Sequence, residues 1–88
     1  MTIELGQIAA TPGALELAAA DPALLSRLLA RHRSGDWGDL SNNDRKLNDE
    51  AARGEDRILS AYETPAGRVW IITEWDRSVT TFLLPEEY

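Results

Sequence analysis

The chain of 88 residues, 43% hydrophobic and 27% charged, is read as one α+β domain over residues 1–88, since two smaller cores would not offset chain entropy without a staple. It has no cysteine and one histidine, His32, which excludes a disulfide framework, a thiolate metal site and a cysteine nucleophile, argues against a closed zinc site, and fits a reducing cytoplasm. Fifteen acidic against nine basic side chains give a net charge of −6, which repels a phosphate backbone and argues against nucleic-acid binding.

The first 30 residues have neither a basic start nor a long apolar run, so neither a signal peptide nor a membrane span is expected. Ile3, Leu5 and Ile8 around Gly6 read as a short N-terminal edge strand. Thr11-Pro12 is an N-cap followed by proline at the first helical position, opening a helix over residues 12–20. Asp21-Pro22 repeats the signal for a second helix over 22–33, with Leu24, Leu25, Leu28 and Leu29 as its apolar stripe. Arg27, Arg31, His32 and Arg33 fall in its last turns, where cations complement the negative end of the helix dipole.

Ser34 to Leu40 is a glycine-rich loop in which Asp36 and Asp39 oppose the arginines, while Trp37 is expected to tuck into the core. A third, polar helix covers 42–53 and ends at Gly54. From Arg57 the apolar period changes to two, giving three strands over 57–63, 68–75 and 78–84 in an antiparallel meander. Thr64-Pro65-Ala66-Gly67 makes the first turn. The strand after it carries Val69 and Ile71 on one face and Trp70 and Ile72 on the other, as a central strand does. The helices are expected to pack on one face of this sheet as a second layer.

The second turn, Glu74-Trp75-Asp76-Arg77-Ser78, packs ionic and aromatic groups where a hairpin needs only Gly or Asn. With Asp36, Trp37 and Asp39 it forms the candidate binding surface, since charged groups beside an aromatic anchor are the composition of an interface hot spot. The plainer alternative is a self-satisfied turn, with Asp76 accepting backbone N–H groups and Arg77 pairing with Glu74. No glycine-rich phosphate loop, nucleophile elbow or His-Glu helix motif is present, so no catalytic residue, cofactor or metal ligand is assigned.

The segments Arg31-His32, Gly35-Asp36-Trp37-Gly38-Asp39-Leu40, Arg57-Ile58-Leu59-Ser60-Ala61-Tyr62, Trp70 to Glu74, Asp76-Arg77-Ser78 and Leu83 to Tyr88 together resemble a family of short bacterial proteins. Its members are usually labelled hypothetical or "plasmid-related", and sometimes as a type I restriction subunit, for which they are much too short. The resemblance implies a cytoplasmic bacterial protein associated with mobile DNA and carries over no functional residue. A second resemblance, over Asp56 to Leu59 and the hairpin from Val69 to Leu84, is to the sheet of barnase-like and RelE-like ribonuclease toxins. Where the barnase-like hairpin tip carries Asp-His, this chain has Asp76-Arg77.

The expectation is therefore a small acidic regulatory protein acting by protein–protein contact, of an anti-defence kind (anti-restriction or anti-CRISPR) on a mobile element. Two alternatives stand beside it: a ribonuclease-like enzyme using Glu74, Arg77 and His32, and a homo-oligomeric structural module such as a homodimer.

Overall fold

Hydroxyl side chains set two of the three helix starts in the computed structural model, which describes residues 2–88. Thr11 Oγ1 accepts the Ala14 N–H at 3.2 Å to open α1 (Pro12–Leu17), and Ser41 Oγ accepts the Asp44 N–H at 3.1 Å to open α3 (Asn42–Arg53). α1 stops three residues before the expected end. The chain closes in turns from Ala19 N–H to Glu16 and from Asp21 N–H to Ala18, because a residue before proline avoids the helical region. α2 (Leu24–Arg33) starts later than residue 22. Asp21 accepts the Ala23 N–H at 3.3 Å and pairs with Arg27 at 2.5 Å instead of capping at the expected position.

The strands are β1 (Gln7–Ala10), β2 (Ile58–Thr64), β3 (Gly67–Thr73) and β4 (Val79–Leu83), followed by one 3₁₀ turn at Pro85–Glu87. Their order in the sheet is β1-β4-β3-β2. β2, β3 and β4 form the expected antiparallel meander, whereas β1 runs parallel to β4, so the sheet is mixed. Three helices separate β1 from β2, and no hairpin fixes its direction. Gly6 permits the entry: at φ 64° it passes so close to the 77–78 backbone that a Cβ would lie 2.3 Å from the Arg77 carbonyl oxygen. The Gln7 N–H then bonds to the Ser78 C=O at 2.9 Å.

Strand alternation puts Tyr62, Val69, Ile71 and Phe82 on one face, packed against Ala14, Ala18, Leu24 and Leu28 of the first two helices. A second cluster joins Ile3, Trp37, Ala51 and Ile58 beside α3. On the other face Trp70 meets Tyr88 edge-on, with ring centroids 5.6 Å apart, and the Arg57 guanidinium lies 5.1 Å from the Tyr88 ring centre.

The outer edge of β2 is closed by side chains and loop. Asn48 of α3 bonds both backbone groups of Leu59, at 3.3 and 2.5 Å. Ala61 N–H donates to the Trp37 C=O at 3.1 Å, and Asp39 N–H to the Ala61 C=O at 2.7 Å. Glu63 N–H reaches the Asp39 carboxylate at 2.9 Å. Both backbone groups of Leu59 and Ala61 and the N–H of Glu63 on this edge strand are thereby satisfied, which protects it from pairing with other chains. Asn48→Ala is expected to cost about 1.5 kcal/mol in urea unfolding and to increase light scattering on heating, as the Leu59 groups open.

Candidate functional site

Glu74 N–H bonds to the Val79 C=O at 3.0 Å and Arg77 N–H to the Glu74 C=O at 2.9 Å. Trp75 and Asp76 thus occupy the centre of a four-residue turn whose last residue is Arg77 at φ 60°, the only non-glycine residue with positive φ among those described. This left-handed position ordinarily belongs to glycine or asparagine. The Arg77 side chain offsets the strain. Its Nη1 donates to the carbonyls of Asp56 at 2.7 Å, Glu74 at 3.1 Å and Trp75 at 3.2 Å. Its Nη2 donates to Ala51 at 2.7 Å and Gly54 at 3.0 Å.

Ala51 and Gly54 lie where α3 ends and its carbonyls lose their helical partners. A planar guanidinium with five donors suits this position, and it ties the β3–β4 turn to the end of α3. Arg77 is therefore a brace. Its expected pairing with Glu74 is made through the backbone carbonyl rather than the carboxylate. Asp76 Oδ1 accepts both the Ser78 hydroxyl at 2.6 Å and the Ser78 N–H at 3.0 Å, bonds that hold its carboxyl below the usual carboxylate range. Only the Trp75 carbonyl joins this internal bonding; its indole does not, and the residue stands 58% exposed.

The Gly35–Asp39 loop is anchored separately, along β2. Asp36 receives Arg31 Nε at 2.6 Å and Nη2 at 3.2 Å, which keeps its carboxyl below the usual range, and the Asp36 C=O accepts the Tyr62 hydroxyl at 2.6 Å. Asp39 is occupied by the β2 edge. Trp37 is only 3% exposed, with its indole N–H on Asp49 at 2.9 Å. Asp36, Trp37 and Asp39 thus shape the fold, while the turn places Trp75 in solvent.

His32 is fully buried, and not the surface cation expected at the end of α2. Its ring nitrogens meet Ser60 Oγ at 2.6 Å and Thr73 Oγ1 at 2.8 Å. Thr73 Oγ1 in turn meets Thr80 Oγ1 at 2.8 Å, and Thr80 donates to the Leu5 C=O at 2.7 Å. A carbonyl only accepts, so the direction of the whole chain follows. Thr80 spends its proton on Leu5, Thr73 spends its own on Thr80, and His32 must carry the proton on Nε2 and accept from Ser60 on Nδ1. Burial lowers the His32 pKa from 6.5 to about 4. The signal was present in the sequence: Leu24, Leu28 and His32 are four apart and share the buried face of α2.

No family model, curated protein or solved structure matches the chain. Among the described residues no group of three or more His, Cys, Asp or Glu could hold a metal ion, and no helix is long and apolar enough to cross a membrane.

Proposed function

We propose that the chain is a small acidic binding protein that acts by protein–protein contact, with Trp75 as its anchor. The observation that carries this reading is a large indole held in solvent by a turn whose neighbouring residues are all tied down. Aromatic anchors on ordered backbone contribute most per residue at interfaces, because little conformational freedom is lost on docking. The Arg77 brace sets this corner against residues 54–56, where Glu55 and Asp56 are exposed, and Asp76 lies at the tip. These three acids outnumber the exposed Arg53 and Arg57 of the same stretch, and a locally acidic corner beside an aromatic anchor suits a partner with a basic surface.

Nucleic-acid-handling proteins of bacterial defence systems present such surfaces. The resemblance to short proteins associated with mobile DNA favours a cytoplasmic, anti-defence role of this kind. The ribonuclease reading has less support: His32 is buried with both nitrogens engaged, and Arg77 is committed to backbone carbonyls. Affinity purification from a bacterial host extract tests the proposal. Trp75→Ala should reduce the recovered partner at least about tenfold while shifting stability by less than about 0.5 kcal/mol. An unchanged set of recovered proteins would remove this corner from the interface.

A further inference from the structure

The two edges of the sheet are treated differently. β2 is closed by Asn48, Trp37 and Asp39, whereas β1 is exposed along Gln7, Ile8 and Ala9, with Ile8 46% exposed. Gln7 and Thr11 donate their N–H groups to Ser78 and Phe82 of the β4 side. By strand alternation, the backbone groups of Ile8 and Ala10 then point away from the sheet. The segment Gln-Ile-Ala-Ala carries no charge and no proline, the residues that ordinarily guard an open edge. Beside it runs an apolar hollow of about 280 Å³ between β1 and α2, lined by Ile8, Ala10, Leu15, Leu25, Leu29 and Phe82 among others.

We infer that β1 pairs antiparallel with β1 of a second copy of this chain, joining two sheets into one across a two-fold axis. With the axis at Ala9, Ile8 of each copy faces Ala10 of the other. Both outward-facing residues then exchange N–H and C=O, giving four hydrogen bonds from two identical edges. Ile8 and Ala10 lie on the helix side of the sheet, as their partners Thr80 and Phe82 do. Pairing therefore brings each copy's Ile8, Leu15, Leu25 and Leu29 toward the same seam.

Charge selects this occupant over a basic peptide. The hollow and its continuation along α2 and the N-terminal segment contain two charged side chains, Glu4 and Arg33, one of each sign. The surplus acid of the chain includes Asp44, Asp49, Glu50, Glu55, Asp56 and Glu86, none of which lines this flank, while the Glu87 carboxylate at the end of β1 is taken up by the Thr11 hydroxyl at 2.6 Å and the Gly13 N–H at 3.3 Å. A basic strand would find no attraction specific to this edge, while two copies of net charge −6 would meet here along locally balanced surfaces. Trp75 is not among the residues that line this flank, so the inference does not rest on the proposed partner site.

Sedimentation equilibrium of the purified protein, together with amide exchange at several concentrations, tests the pairing. The expected result is a mass of twice 9.8 kDa at high concentration, with exchange at Ile8 and Ala10 slowing at least about tenfold as dimer forms. The Gln7 and Ala9 amides should be protected at every concentration. Ile8→Lys, at an exposed position, should give a monomer with an unchanged circular dichroism spectrum. If that variant unfolds, the concentration dependence of the wild-type Ile8 and Ala10 amides decides alone. A wild-type monomer at millimolar concentration would overturn the inference. So would a dimer that survives in folded Ile8→Lys, which would put the contact elsewhere, for instance on the Trp70 and Tyr88 face.

Discussion

Replacing Arg77 with alanine should destabilise the fold by about 3 kcal/mol in urea unfolding, a large fraction of what a small protein has to spare. For a chain of this length, that lowers the melting temperature by roughly 12–24 °C. Two effects add. Five carbonyls, among them Ala51 and Gly54 at the end of α3, lose their common donor, and an alanine remains at φ 60°, where a Cβ is strained. Arg77→Gly separates them. It loses the same hydrogen bonds but relieves the backbone, so it should be about 1 kcal/mol more stable than Arg77→Ala. Equal stabilities would mean that the backbone at this position is not held left-handed, and a loss below about 0.5 kcal/mol in Arg77→Ala would remove its role as brace.

Acid should weaken the protein well before its carboxylates titrate. His32 has a pKa near 4 in the fold against 6.5 when free, so the neutral ring is the form that the fold retains. The stabilisation is fully present above pH 6.5 and is lost progressively as pH falls toward 4, below which both states are protonated and the loss levels off. The gap corresponds to about 3 kcal/mol, at about 1.4 kcal/mol per pH unit. Burial is the cause: a proton added at Nδ1 would force the Ser60 hydroxyl to turn from donor to acceptor, and the charged ring would sit among fully buried groups away from water.

Asp21, Asp36, Asp76 and Glu87 also have lowered pKa values, but their losses come on as pH falls below the ordinary carboxylate range. Because His32 is the only histidine, its ring resonances are unambiguous in a proton NMR titration. They should stay at neutral-form positions down to about pH 5. A midpoint near 6.5 would show the ring to be in water. Urea unfolding of His32→Gln should show a lower overall stability with no separate decline between pH 6.5 and pH 4.

Local signals in the chain were legible where one residue's chemistry settles one backbone choice. Thr11-Pro12 opens α1 as its hydroxyl and proline predict. The first hairpin turn closes on Thr64 and Gly67, the Thr64 hydroxyl reaching the Gly67 C=O at 2.6 Å. The period-two runs became β2, β3 and β4. What was not legible depends on groups far apart in sequence. The parallel pairing of β1 with β4 joins Gln7 to Val79, and no local pattern sets its direction.

The candidate site divides in the same way. The aromatic and charged make-up of the turn is visible in the sequence, but three of the five carbonyls that Arg77 bonds lie more than twenty residues away, two of them at the end of α3. A long-range brace and a recognition arginine look identical in sequence. Three arginines around His32 make it look like part of the helix-end charge, whereas the ring is buried. Its spacing from Leu24 and Leu28 was the stronger signal, since that spacing fixes which face it occupies.

The most direct measurement of the binding role is a calorimetric titration of the captured partner, once purified, with wild type, Trp75→Ala and Leu47→Ala. Leu47 is a comparably exposed apolar residue, at 54% against 58% for Trp75, on a different element. If the braced turn is the anchor, Trp75→Ala raises the Kd at least about tenfold and Leu47→Ala leaves it unchanged. Equal affinity of wild type and Trp75→Ala, or a loss confined to Leu47→Ala, would contradict it.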